Sequence, residues 1–285
     1  MKTPQLIILS LLATWLGLME SRASVVVQYG PTNDYVTNNV NFQTSSGSGS
    51  TSYTFSRTYD TASAWLASGG SYTGPAIYGG YYQGLTNNAT FTPVSALGQI
   101  RNNEATSGTN DVIRFQSMFA TASGIQSATQ NFAVAFATGG SYSMDSSSAL
   151  NWNARAAANP SGTSAMRFLL VADGTTYLSS SSFTWNNTST NYSLTNPSAI
   201  NWAAWTPGAT MSFDSLTYDT LGSSLANIAF AGFAINQSTT AAGQNLATLD
   251  TQSFSADLVP EPSTWMLLGF GAVAVALFYR RRSAN

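Results

Sequence analysis

The sequence predicts an all-β protein: an antiparallel β-sandwich, jelly-roll-like, flanked by an N-terminal signal peptide and a single C-terminal transmembrane helix. Three observations predict it. Between residues 24 and 258 apolar side chains alternate with polar ones in short runs, the period of a half-buried strand and not of a helix. Charged residues are only 8% of the chain, while apolar residues reach 44% and aromatics 12%, which is enough to build a core. The polar remainder is Ser, Thr, Asn and Gly, a composition of strands and turns.

The chain begins with Met1-Lys2, then the apolar run Leu6 to Leu18, then Ser21-Arg22-Ala23 with small residues at the −3 and −1 places. That order is a secretory signal peptide over residues 1–23, cleaved after Ala23; the run is too short to span a bilayer as an anchor. Residues 24–258 are the exported β-sandwich domain. No linker longer than a turn divides it and no segment repeats at a fixed period. The low-complexity patch Thr44 to Ser52 has the length of a hairpin loop.

Within the domain the strand patterns are Val25–Tyr29, Ser52–Tyr59, Asp111–Phe119, Asn131–Ala137, Ala165–Ala172, Thr175–Ser180, Met211–Tyr218, Asn227–Ile235 and Asp250–Leu258. Phe132, Val134 and Phe136 alternate with alanines, so one face carries bulk and the other is flat enough for close packing. The sharpest local signal is Asp173-Gly174 between two strand patterns, the signature of a two-residue type I′ hairpin. Short antiparallel strands at this spacing favour a sandwich of two sheets, with a barrel as the alternative. An outer-membrane barrel needs longer alternating strands than these.

The residue inventory excludes much chemistry. There is no cysteine and no histidine, and the only lysine is Lys2. Disulfides, Ser-His and Cys-His pairs, Ser-Lys pairs and Schiff bases are therefore excluded from the exported domain. Five scattered arginines stand there against ten acids, which excludes a nucleic-acid partner. Carboxylate chemistry would need Glu104, the domain's only glutamate, together with an aspartate, but Glu104 sits in a polar loop beside Arg101 where nothing lifts its pKa. No catalytic residue is assigned. No metal site is assigned either: only oxygen ligands exist, which admits Ca²⁺, yet Asp60, Asp111, Asp173, Asp214 and Asp219 fall at turns and strand ends, where aspartates cap.

Aromatic rings beside amides are what a sugar stacks and hydrogen-bonds against. Tyr78, Tyr81 and Tyr82, in the Gly-rich stretch Gly69 to Gly84, are the candidate glycan-binding residues. Trp152, Trp185 and Trp202 lie beside asparagines, with Trp205 three residues on, but the four are better suited to fill a core. Asn-x-Ser/Thr triplets, among them those at Asn88, Asn187, Asn191 and Asn236, read as polar surface.

The tail, residues 259–285, has three parts in fixed order: Val259-Pro260-Glu261-Pro262, an apolar helix over 263–279, and the basic end Arg280, Arg281, Arg282. The prolines remove backbone donors and favour extended geometry before them, so the helix cannot run back into the domain and the peptide is left extended and exposed. From Trp265 to Tyr279 a helix covers ~22 Å of a ~30 Å hydrocarbon core, with flanking residues and snorkelling arginines closing part of the gap. The arginines stay cytoplasmic, which puts the domain outside. A plain membrane anchor with a proline linker is the simpler alternative.

From Val259 through Arg282 this tail resembles the PEP-CTERM sorting signal of Gram-negative bacteria. The resemblance implies a partner, the membrane-embedded cysteine transpeptidase exosortase, acting near Pro-Glu-Pro, and proteins that accompany extracellular polysaccharide. The Asp-Gly hairpin, the Trp-rich stretch Asn201 to Pro207, and Ile228 to Phe233 also look like a layout of exported β-sandwich domains carrying this tail. The expectation is a non-enzymatic protein, sorted from the inner membrane to the cell surface or matrix, structural and associated with exopolysaccharide. A carbohydrate-binding module is the alternative, and a polysaccharide-acting enzyme a third.

Overall fold

The computed structural model describes residues 22–30, 40–43, 52–56, 60–61, 75–87, 95–101, 112–118, 125–158, 163–206, 209–210, 212–239 and 246–261. The signal-peptide run, Glu104, Pro262, the tail helix and Arg280 to Arg282 lie outside them. Sixteen strands are described: β1 (Ser24–Tyr29), β2 (Val40–Gln43), β3 (Ser52–Ser56), β4 (Asp60–Thr61), β5 (Ile77–Asn87), β6 (Ser95–Arg101), β7 (Val112–Met118) and β8 (Ile125–Ser143). They continue with β9 (Ala149–Ala158), β10 (Thr163–Ala172), β11 (Thr175–Ser179), β12 (Thr190–Thr195), β13 (Asn201–Ala204), β14 (Thr220–Leu221), β15 (Ile228–Thr239) and β16 (Leu246–Pro260). All pairings are antiparallel, and the helical content of the described residues is three short 3-10 turns.

The strands form two facing layers. One has β16 at its centre, with β9 and β12 on one side and β1 and β7 sharing the other, followed by β6 and β2. The other runs β14-β13-β11-β10-β15-β8-β5, with β3 and β4 on the far edge of β5. Side chains from both layers meet face to face: Trp152 of β9 stacks on Phe233 of β15 at 4.1 Å, and Phe136 of β8 lies 5.3 Å from both Tyr29 of β1 and Phe254 of β16. This is the antiparallel sandwich expected from the alternating sequence. The layers are not separate sheets, however. The end of β16 leaves the first layer and pairs with the end of β8, joining both into one hydrogen-bonded path.

β8 is buried on both faces. Phe132, Val134 and Phe136 enter the core between the layers, while Ala133 and Ala135 face outward and are covered, with Ala234, Leu169 and Leu178, by Trp205 and Phe213. The flat alanine face is what lets that segment sit down. Gly232, opposite Ala135, fits a still closer approach: a Cβ there would run into the Val134 carbonyl oxygen. The Asp-Gly hairpin is present as β10 and β11, with Asp173 at φ 48° and Gly174 at φ 74°, both left-handed as a type I′ turn requires.

Two expectations need correction. Met211–Tyr218 is not a strand: Phe213–Ser215 is a 3-10 turn, Phe213 is buried, and the Tyr218 hydroxyl donates to the Phe213 carbonyl at 2.9 Å. Its apolar residues alternate because they cap the alanine face, and Ser212, Asp214 and Ser215 favour local turns over a ladder. The Gly-rich stretch around the candidate tyrosines, absent from the expected strand patterns, contains β5 from Ile77 to Asn87, paired along its length with β8. Glycines there permit close backbone approach within a strand.

Candidate functional site

β16 does not stop at the expected domain boundary after Leu258. It carries Val259 and Pro260 into register with Ser143 and Tyr142 of β8. Proline is tolerated at this terminal position, where its missing N–H removes no interior ladder bond. Val259 is 8% exposed, Pro260 is exposed and Glu261 half-buried. The motif is therefore extended, as its prolines predict, but its first residues lie on the domain and are not a free peptide.

Glu261 is held from three directions. Its N–H donates to the Ser141 carbonyl at 3.2 Å, the Asn227 N–H donates to its Oε1 at 2.7 Å, and the Ser141 hydroxyl lies 3.1 Å from its Oε2. The single Ser141 hydroxyl proton is shared with Asn227 Oδ1, 2.7 Å away. Asn227, at φ 51°, also donates from Nδ2 to Asp173 Oδ1 at 2.7 Å, which ties the corner to the type I′ hairpin. Ser141 is placed by an irregular stretch of β8 in which Gly139 adopts φ 77°. Thr138 Oγ1 braces that stretch, with the Gly140, Ile228 and Ala229 carbonyl oxygens at 2.9, 3.2 and 3.0 Å. The result is a neutral seat of backbone and hydroxyl donors around one carboxylate.

A second constellation lies inside the first layer. Asp250 of β16 is fully buried between its two register partners, Arg114 of β7 and Arg155 of β9. Arg114 makes a bidentate pair, Nε to Oδ1 at 2.6 Å and Nη2 to Oδ2 at 2.8 Å, and Arg155 reaches Oδ2 at 3.5 Å. Hydrogen bonding to Asp250 raises the Arg114 pKa although burial opposes it. With both carboxylate oxygens engaged by fixed cations, the geometry is that of a structural cross-strand row. The sequence reading missed it, since three residues on three distant strands share no local signal.

Between the Arg155–Asp250 row and Asp257, the outer surface of the first layer carries polar, uncharged side chains. Asn191, Asn153 and Ser253 form one cross-strand row and Ser193, Asn151, Ser255 and Gln28 the next. The side chains are bonded to each other: Asn153 Nδ2 to Asn191 Oδ1 at 2.5 Å, Ser193 Oγ to Asn151 Oδ1 at 2.7 Å, and Ser189 Oγ to Asn153 Oδ1 and Gln252 Oε1 at 2.9 and 2.6 Å. Gly30 and these amides line a trough of ≈ 330 Å³.

The candidate aromatics divide. Trp152, Trp202 and Trp205 are 1%, 0% and 2% exposed, and each indole N–H is satisfied internally, by Thr251, Pro197 and Thr210 respectively. They fill the core and do not form a sugar platform; Trp185 packs at its margin, partly buried. Tyr78, Tyr81 and Tyr82 fall on β5 opposite Ala135, Phe132 and Asn131. Of the aspartates offered for a cation, Asp173 is engaged by Asn227 and Asp214 lies 3.4 Å from Arg167. Among the described residues no three His, Cys, Asp or Glu side chains are grouped to hold a metal.

Residues 258–282 match the PEP-CTERM protein-sorting motif. The chain thus carries a PEP-CTERM sorting signal at residues 258–282, and that signal implies an exported protein that passes through the membrane and processing by exosortase, a membrane enzyme. Among the described residues no helix is long and apolar enough to cross a membrane; the expected helix over 263–279 lies outside them. No curated protein matches the chain. Among solved structures it is similar to a family 11 carbohydrate-binding module of the cellulosomal cellulase Lic26A-Cel5E of Clostridium thermocellum, at 10% identity and TM-score 0.31, over 84% of this chain and 99% of that one. A family 11 module from Clostridium thermocellum in complex with a beta-1,3-1,4-mixed-linked tetrasaccharide is similar at 11% identity and TM-score 0.28, over 84% and 100%. Likeness at that level leaves the ligand to be argued from the chain's own residues.

Proposed function

We propose that the chain is a non-enzymatic, structural protein of the cell surface or extracellular matrix, associated with exopolysaccharide and delivered through its C-terminal signal. The observation that carries this reading is the continuity of β16 into the sorting motif: the packed sandwich is the cargo of that signal. Replacing both Pro260 and Pro262 by alanine restores backbone donors and helix compatibility at the junction. The full-length precursor of the double variant is expected to accumulate in the inner membrane, where immunoblotting of fractionated cells detects it. Maturation indistinguishable from wild type would favour a plain anchor.

Carbohydrate binding is a second reading, favoured by the amide and hydroxyl rows of the first layer, whose uncharged donors and acceptors match the hydroxyls of a neutral glycan. Tyr78, Tyr81 and Tyr82 are the other proposed contact set. Alanine at Asn151, Asn153 and Asn191 together is expected to abolish retention on a neutral polysaccharide while shifting stability by only about 0.5 kcal/mol per site, since all three lie on the outer face. The triple Tyr78, Tyr81, Tyr82→Ala variant separates the two surfaces in the same affinity electrophoresis. Binding unchanged in both variants would remove both sets, and no retention by wild type leaves the structural role.

A further inference from the structure

The seat around Glu261 has a consequence for how the sorting signal is read. We propose that the corner formed by Ser141 and Asn227 is a carboxylate-binding site of the folded domain that captures Glu261 and competes with the membrane processing enzyme for the motif. The proposal rests on the sorting reading and adds its regulation.

A processing enzyme acting near Pro-Glu-Pro must take the peptide into its own active site. Val259 and Pro260 are meanwhile paired with Ser143 and Tyr142, and both carboxylate oxygens of Glu261 have partners on the domain. One segment cannot occupy both places. Reach makes the competition steeper: only Pro262 separates Glu261 from the expected helix start at Ser263, and two extended residues span at most ~7 Å. The seated motif therefore holds the sandwich against the membrane surface, where its bulk occludes the cleavage region. Peeling Val259 to Glu261 off β8 frees the motif and lengthens the tether at once. The seat's contacts carry no charge: one backbone N–H donor, one backbone carbonyl that accepts from the Glu261 N–H and one shared hydroxyl, so the seat retains the motif without locking it.

The chain has no cysteine, so an introduced pair reports without background. Ser143 and Val259 are register partners on antiparallel strands, at a Cα spacing of ~4.5–5.5 Å that lies within disulfide reach. In full-length precursor carrying Ser143→Cys and Val259→Cys, oxidation is expected to slow conversion by exosortase about tenfold or more, and reductant to restore it in the same sample. Ser141→Ala, at an exposed position, removes the hydroxyl shared between the Glu261 carboxylate and Asn227 Oδ1 and is expected to speed conversion about three- to tenfold. Equal conversion of oxidised and reduced precursor, or no acceleration by Ser141→Ala, overturns the proposal. Amide hydrogen exchange on detergent-solubilised precursor reads the seat without any enzyme. Exchange of the Asn227 amide should be about tenfold faster in Glu261→Ala than in wild type; equal exchange also overturns it. Wild-type precursor that is never converted, with the proline variant behaving identically, sinks the sorting reading instead, while exchange still decides whether the seat exists.

Discussion

Trp152→Ala is expected to destabilise the domain by about 3–5 kcal/mol, the range for deleting a buried large aromatic. The ring is 1% exposed, stacks on Phe233 at 4.1 Å and 15°, meets Phe168 edge-on at 6.4 Å and lies 6.0 Å from Tyr192. It also donates its indole N–H to the Thr251 hydroxyl at 3.0 Å, so alanine both opens a cavity between the layers and strands a buried hydroxyl. Trp152→Phe should cost less, because a ring still faces Phe233. Urea unfolding of the two variants measures the difference, and a cost below about 1 kcal/mol for alanine would contradict the facing of β9 on β15.

Asp250→Ala should rank next, at about 3 kcal/mol or more, because breaking a buried ion pair leaves Arg114 without its counter-charge. The Arg114 side chain is 17% exposed and cannot simply turn to water, whereas Arg155 is 40% exposed. Arg155→Ala is accordingly expected to cost less than about 1 kcal/mol, since solvent screens that half of the row. Because Arg114 is raised in the folded state, its own titration leaves the contribution intact through neutral pH and removes it only as pH climbs through a strongly alkaline range. Comparable costs for Asp250→Ala and Arg155→Ala would mean that the bidentate pair is not the energetic centre.

What the sequence made legible was local. Asp173-Gly174 names its own turn, and alternation located β10, β15 and β16 within about four residues of their observed limits and the middle of the much longer β8. β9 and β12 went unread because Asn151, Asn153 and Asn191 are poor strand formers whose places are set by cross-strand partners. β5 was hidden by its glycines for a related reason: what makes it a strand is the close approach of β8, far away in sequence. Met211–Tyr218 failed in the opposite direction, since its apolar residues answer to an alanine face on other strands. The sorting tail was readable as a motif, but the seat for Glu261 was not, because Ser141 and Asn227 come from separate strands and have no chemistry that singles them out.

The position of β16 also sets an order of events during synthesis and export. It is the central strand of its layer, yet it begins only at Leu246, and β1, the first strand of the chain, pairs with it. An N-to-C emerging chain can close the β10–β11 hairpin and align β5 with β8 early, whereas β8 waits for β15. β1 must wait for nearly the whole domain to arrive before it has a partner. Such long-range closure is slow, and the first layer is complete only once the last strand, with Val259 and Pro260 at its end, is in place. Completion of the fold and delivery of the sorting signal thus coincide in time as well as in place.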